Sequence, residues 1–237
     1  MLGKFLYDLF QKKPERAEGG NPLEEYFYNN TGRMIDKWDH YFDIYHRHFS
    51  RFRGRSPVVV EIGVWRGGSL PMWHRYFGPG ARIIGIDIDP KTLQFKDETA
   101  DILIGDQADR RFLAGVRERV PHIDILIDDG GHTMEQQIIT FEELYPHVQS
   151  NGVYLCEDIH TSLWPNYGGG YRREGTFLEY SKALVDRLHG WHSREPELLT
   201  ADQFTTSTDS MHFYDSILVL EKRPRKPPRN LRSEGVS

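Results

Sequence analysis

One cysteine, Cys156, stands in 237 residues, so no disulfide can form within the chain, a pattern that fits a reducing cytoplasm. No apolar run approaches the ~20 residues that a membrane-spanning helix needs. Basic charge is not in surplus: 30 Lys and Arg stand against 35 Asp and Glu, and the net charge of −5 removes the electrostatic case for a nucleic-acid surface. No internal repeat is visible. Aromatics, by contrast, are plentiful at 13 %, with five Trp and twelve Tyr, a composition that suits stacking on sugars or flat rings. Hydrophobic content of 38 % and charged content of 27 % fit a globular chain large enough for one domain with a full core.

The chain begins MLGKFLYDLF, with Leu2, Phe5, Leu6, Leu9 and Phe10 at helical spacing. This stretch is too short and too charged for a signal peptide. It reads as a loosely packed N-terminal helix, with docking or oligomerisation as its other use. Residues 14–22 (PERAEGGNP) read as a linker. From Arg33 to Phe52, apolar and aromatic residues recur at three and four (Ile35, Trp38, Tyr41, Phe42, Tyr45, Phe49), predicting one amphipathic helix.

Strands and helices then alternate. Short β-branched or apolar runs predict strands over 56–64, 81–88, 101–106, 122–129 and 152–158. Helical patterns fill 67–77, 108–120, 134–148 and 176–190, with Pro71 tolerable in a first turn. The stretch 211–223 closes the sheet as one strand or as a tight hairpin. Continuous apolar strands alternating with amphipathic helices imply a mostly parallel sheet covered on both faces. The glycine-rich segment 159–176, carrying Trp164, Tyr167 and Tyr171, has the length of a lid loop. The implied organisation is an N-terminal helical segment and linker (1–55), an α/β domain (56–222) and a basic, proline-containing disordered tail (223–237).

In open α/β sheets, ligands bind outside the carboxyl ends of the strands. Each of the five expected strands ends in acid: Glu61, then Asp87 and Asp89, then Asp106, then Asp128 and Asp129, then Glu157 and Asp158. After the first comes a glycine-rich turn, Gly63, Gly67, Gly68 and Ser69, leading into a helix whose free N–H groups and close backbone approach suit a ligand. Its spacing is neither the dinucleotide fingerprint nor a P-loop. Asp87 suits the two hydroxyls of a ribose, and Asp106 an adenine amino group. Together they suggest a nucleoside ligand without a pyrophosphate.

The ordered series EIGVWRGGS, GIDID, GDQAD and IDDGGH resembles the class I S-adenosylmethionine-dependent methyltransferases over about residues 56–222. The resemblance implies a Rossmann-like, mostly parallel seven-stranded sheet with an antiparallel last strand. It also implies a cofactor set of Glu61, Gly63, Gly67, Ser69, Asp87, Asp106 and Asp128. A narrower resemblance, carried by Asp129, His132, Glu157 and Asp158, by DKW-x-HY-x-x-x-Y (36–45) and by HFYDS (212–216), is to the metal-dependent macrolide sugar O-methyltransferases of mycinamicin and tylosin type. It implies Mg²⁺ (Mn²⁺ is also compatible) on Asp129, Glu157 and Asp158, His132 as general base, a sugar or small glycoside as acceptor, and a homo-oligomer. The chemistry agrees: vicinal hydroxyls chelating a hard cation become more acidic, and an imidazole titrates near neutral pH.

Other readings stand beside these. Asp128 could replace Asp129 on the metal, or only accept backbone N–H groups. His160 and His212 rival His132 as base. Glu157 and Asp158 could be helix caps. Tyr41 and Tyr45 read as core, and Cys156 as a packed small residue. The alternative functions are a catechol-type O-methyltransferase, which usually uses a lysine base, a cephalosporin-hydroxylase-like relative, and a non-catalytic adenosine-ligand binder.

Overall fold

A computed structural model describes residues 20–233. The expected helix at the extreme N-terminus, and residues 14–19 of the expected linker, lie outside these residues. Pro22 belongs to the first helix, α1 (Pro22–Tyr28), where proline suits the first turn and Asn21 caps Leu23 N at 3.0 Å.

The helix predicted over 33–52 is shorter than its periodicity suggests. Only Tyr41–Phe49 forms a helix, α2, with a 3-10 turn behind it at Ser50–Phe52. The stretch before it runs without helix because its groups are committed elsewhere. Arg33 binds Phe95 O and Asp97, and Lys37 reaches into the strand ends. Tertiary bonds override the local pattern here.

The sheet has seven strands: β1 (Val58–Ile62), β2 (Arg82–Asp87), β3 (Ala100–Ile104), β4 (Ile123–Asp128), β5 (Val148–Cys156), β6 (Thr208–Phe213) and β7 (Leu218–Lys222). Their spatial order is β3-β2-β1-β4-β5-β7-β6. The first five pair in parallel, β7 runs antiparallel to β5, and β6 runs antiparallel to β7. The closing stretch left open by the sequence is therefore a hairpin. Its turn brings Tyr214 N to Ile217 O at 2.8 Å and sets Ser216 at φ 64°. The mostly parallel, seven-stranded sheet with an antiparallel last strand is as expected.

Alternate residues of each strand face opposite ways, and two cores result. Val58, Val60, Ile62, Leu126 and Leu220 pack with α4 (Arg110–Arg119), α5 (Met134–Leu144) and α6 (Phe177–Leu188). Val59, Ile83, Ile125, Ile127 and Val219 pack with α2 and α3 (Ser69–Phe77). Fully buried aromatics on this second face, Trp73, Tyr45 and Phe49, lock α2 against α3 through edge and stacked contacts.

The segment 159–176 holds two 3-10 turns, Ile159–Leu163 and Pro165–Tyr167. It is bonded to itself (Gly170 N to Ser162 O, 2.8 Å) and to the β4 turn (Thr161 Oγ1 to His132 O, 2.8 Å). A short helix missed in the sequence, α7 (Gln203–Ser207), precedes β6 and is closed by an Asp202–Thr205 capping box. Residues 223–233 lack regular structure, yet Arg223 N and Arg225 N bond back to Ser207 O and Thr206 O, both at 2.8 Å.

Candidate active site

β1 is flanked by β2 on one side and β4 on the other, so the chain's connections diverge there. A crevice opens outside the carboxyl ends of the strands at such a switch point. A cavity of about 480 Å³ lies there, lined by Gly63, Asp87, Asp106, Asp129, His132, Glu157 and Asp158 together with Lys37, Trp38 and Tyr41. That volume falls in the roughly 300–1,000 Å³ range of small-molecule sites.

On the β1–β3 side, Asp87 Oδ2 accepts Val64 N and Trp65 N at 2.9 Å each, and Oδ1 accepts Asp89 N at 2.8 Å. The carboxylate thus pins the glycine-rich turn while facing the cavity. Gly63, at φ 96°, must be glycine: an added Cβ would lie 1.9 Å from Asp129 O. Asp106 accepts Ala108 N at 2.8 Å and borders the same space.

Four residues expected on the cofactor stand behind the wall and do not line the cavity. Glu61 points with Val59 under α3, is fully buried, and accepts Ser69 Oγ at 2.6 Å and Trp73 Nε1 at 2.8 Å. Burial pushes its carboxyl up to about 7 against the opposing pull of Lys37. Ser69 is consumed by that bond, and Gly67 abuts the Phe95 ring. Asp128, the buried last residue of β4 and likewise raised to about 7 by burial, accepts Gln107 Nε2 at 3.0 Å. Gln107 also accepts Gly131 N at 2.8 Å, so one buried amide clamps the turn from Asp128 to Gly131.

On the β4–β5 side, Asp129, His132 and Asp158 converge. One ligand atom from each lies within 4.8 Å of the other two. His132 Nε2 is 3.8 Å from Asp129 Oδ1 and 3.5 Å from Asp158 Oδ2. Among the described residues, His132 Nδ1 is buried without a hydrogen-bond partner. His132 and Asp158 both hold left-handed backbone, at φ 56° and 53°, a strained geometry that collects at functional sites. Thr133, capping α5 in a reciprocal box with Gln136, fixes the residue that follows His132. The two carboxylates, opening on a polar cavity, offer oxygen ligands that suit a hard divalent cation, and the imidazole stands beside them.

Glu157, expected as the third metal ligand, is turned differently. It is 1 % exposed, and its oxygens take Tyr45 Oη at 2.7 Å and Lys37 Nζ at 2.9 and 3.1 Å. Lys37 also bonds Asp129 Oδ2. Burial alone would lower the lysine's pKa; Asp129, Glu157 and Glu61 outweigh it and hold the ammonium well above its ordinary range. Tyr41 Oη donates to Asp158 Oδ1 at 2.6 Å.

Residues 60–159 match the methyltransferase-domain family. The sheet that carries this match has the class I methyltransferase fold. The domain is similar to 8-demethyl-8-alpha-L-rhamnosyl tetracenomycin-C 2'-O-methyltransferase of Streptomyces olivaceus, at 36 % identity over 79 % of this chain and 52 % of that protein. It is similar to mycinamicin VI 2''-O-methyltransferase of Micromonospora griseorubida, at 33 % identity over 75 % and 47 %. Among solved structures, it is similar to the MycE methyltransferase of the mycinamycin biosynthetic pathway in complex with Mg and SAH. That likeness has a TM-score of 0.76 and 30 % identity, covering 86 % of this chain and 54 % of that one. The resemblance to macrolide sugar O-methyltransferases is thereby borne out. The chain spans about half the length of the curated relatives it matches.

The rival histidines of the methyltransferase domain lie off the cavity wall. His160 Nδ1 is 2.5 Å from Ser216 Oγ, and its ring sits between Trp38 and Trp164. His212 belongs to a second cluster with His48 and Glu221. That cluster is internally satisfied: His48 spans Glu221 at 2.6 Å and Tyr214 Oη at 2.9 Å, and Arg51 holds Glu221 at 2.9 Å. Lys37, Tyr41, Tyr45 and Gln107 carry functional contacts that the sequence reading did not assign. The DKW-x-HY-x-x-x-Y match contained three of the four.

Proposed function

We propose that the protein is an S-adenosylmethionine- and Mg²⁺-dependent O-methyltransferase acting on a sugar hydroxyl of a glycosylated natural product or glycan. The convergence of Asp129, His132 and Asp158 on a cavity that Gly63, Asp87 and Asp106 also line carries this reading. The relatives named above are sugar O-methyltransferases, and the similar MycE structure is a complex with Mg and SAH.

Asp87 and Asp106 receive the ribose and adenine of the cofactor. Asp129 and Asp158 hold the cation, with Glu157 as the further expected ligand. When bound, the cation lowers the pKa of an acceptor hydroxyl. His132 takes the hydroxyl proton at Nε2, and the two nearby carboxylates stabilise the imidazolium. Tyr41 fixes Asp158 by its hydrogen bond. Orientation then does most of the remaining work, since the sulfonium is already an activated methyl donor. Lys37 does not replace His132 as base in the catechol-type manner, because two carboxylates keep it charged.

The homo-oligomer and the cytoplasmic location remain parts of the proposal, resting on the N-terminal apolar pattern, the resemblance and the single cysteine. Among the described residues, no helix is long and apolar enough to cross a membrane.

The deciding experiment is calorimetric titration of S-adenosylhomocysteine into wild type and Asp129→Ala, in Mg²⁺ and in EDTA, followed by mass spectrometry of rhamnosyl and other deoxysugar glycosides incubated with S-adenosylmethionine. Expected are cofactor binding in both proteins and metal-dependent methylation by wild type alone. Absence of S-adenosylhomocysteine binding would overturn the reading.

A further inference from the structure

We propose that Lys37 is a resident cation of the carboxylate site, an ammonium that fills the gap between Asp129 and Glu157 and competes there with the divalent ion. The inference rests on the reading of these carboxylates as a metal site.

Lysine is almost never fully buried unless paired, and Lys37 has a side chain only 3 % exposed. It comes from outside the sheet, on the non-helical stretch before α2. It spends all three of its hydrogens on carboxylate oxygens: both of Glu157 and Oδ2 of Asp129. Among the described residues, no other Lys or Arg pairs with either acid. The site is thus divided. One half, around Lys37, holds Glu157 and one oxygen of Asp129. The other half, open to the cavity, holds Asp129 Oδ1, Asp158 Oδ2 and His132 Nε2.

A divalent ion that engages Glu157 must take oxygens that Lys37 now holds. An ion confined to the open half must share Asp129 with a neighbouring positive charge. Both arrangements cost metal affinity, because like charges repel strongly where little water screens them. In return, the buried Glu157 and the half-buried Asp129 share one positive charge, so their mutual repulsion is partly offset and the site keeps its shape before any metal arrives. The strap that carries Lys37 is itself seated against the glycine-rich turn. Its Met34 carbonyl lies so close to Gly68 that a Cβ there would fall 2.1 Å from it, and Trp38 beside Lys37 lines the cavity.

The test uses Lys37→Met and Lys37→Arg beside wild type, with Mg²⁺ alone titrated calorimetrically in the absence of cofactor and glycoside. Melting temperature is read in EDTA and in excess Mg²⁺. Lys37→Met is expected to melt below wild type in EDTA, to gain more from Mg²⁺ than wild type does, and to bind Mg²⁺ about tenfold more tightly, an ordinary magnitude for coupling between sites. Lys37→Arg, which keeps the charge, is expected to gain no affinity. Unchanged or weaker Mg²⁺ binding by Lys37→Met overturns the proposal, as does an equal gain in Lys37→Arg or undetectable Mg²⁺ binding in all three proteins. If Lys37→Met does not fold in EDTA, it is prepared in Mg²⁺ and its affinity read by competition with a chelator. Wild type that methylates glycosides while the variants show no affinity change sinks this inference alone. An affinity gain without methyl transfer sinks the enzymatic reading alone.

Discussion

The hydroxyl of Tyr45 donates to Oε1 of Glu157 across 2.7 Å, tying the helix before the sheet to the end of its fifth strand. Both side chains are buried, and burial beside Glu157 raises the phenol's pKa, so it stays a protonated donor. Tyr45→Phe leaves a buried carboxylate with Lys37 as its remaining side-chain partner. The expected loss is about 1–3 kcal/mol, the usual cost of an unmet hydrogen bond to a buried charged group. Urea unfolding should show a lower midpoint at unchanged m-value. An unshifted midpoint would mean that the bond contributes nothing net.

Why Tyr45 was legible only as core follows from the same bond. Its ring satisfies the amphipathic pattern of α2, and periodicity reports the ring, not the hydroxyl at its tip. Strand ends were easier, because β-branched runs and terminal acids are local signals. The direction of those acids was less so: Glu61 falls on the same strand face as Val59, which turns it under α3 and away from the cavity. Counting parity along β1 would have found this. Lys37 had no local signal, since nothing in the letters around it states that a lysine will be buried against two acids 92 and 120 residues away. The closing hairpin was undecidable for a related reason: Tyr214-Asp-Ser-Ile217 holds no glycine to announce a turn, and Ser216 adopts the left-handed conformation instead.

Gly63→Ala should be severely disruptive. The position combines φ 96° with a Cβ site 1.9 Å from a backbone oxygen, so neither rotamer change nor side-chain shift relieves it. The β1 and β4 turns must separate, and the cavity wall that they form together shifts with them. We expect loss of about 1–3 kcal/mol or more from backbone strain alone and S-adenosylhomocysteine binding weakened at least about tenfold. Melting curves and calorimetry on the same sample check both. Normal affinity in this variant would show that the turn does not shape the cofactor site.

His132→Gln keeps a polar side chain at the cavity wall but removes the base. On the proposed mechanism kcat falls by roughly 10²–10⁴-fold, while S-adenosylhomocysteine affinity stays near wild type, because the cofactor residues stand on β1–β3. His160→Gln, altering a ring held by Ser216 off the cavity wall, should leave kcat within a few-fold of wild type. If His160→Gln costs kcat on that scale and His132→Gln does not, the base assignment moves to His160.

Glu61 gives a pH signature that can be read without substrate. Its carboxyl sits near 7 in the folded protein because it is fully buried, against an ordinary value of 4.5. Between those two values the folded state binds more protons than the unfolded state, so stability falls as pH rises through this window. The contribution is complete below about 4.5 and gone above about 7, on the order of 3 kcal/mol in all. Glu61→Gln retains an acceptor for Trp73 and cannot ionise. The stability of Glu61→Gln relative to wild type should therefore rise steadily from pH 4.5 to 7 and level off beyond. Urea titrations at half-unit pH steps would show it, and a difference that does not vary with pH would mean that Glu61 is ionised throughout, held so by Lys37 and the two donors that face it.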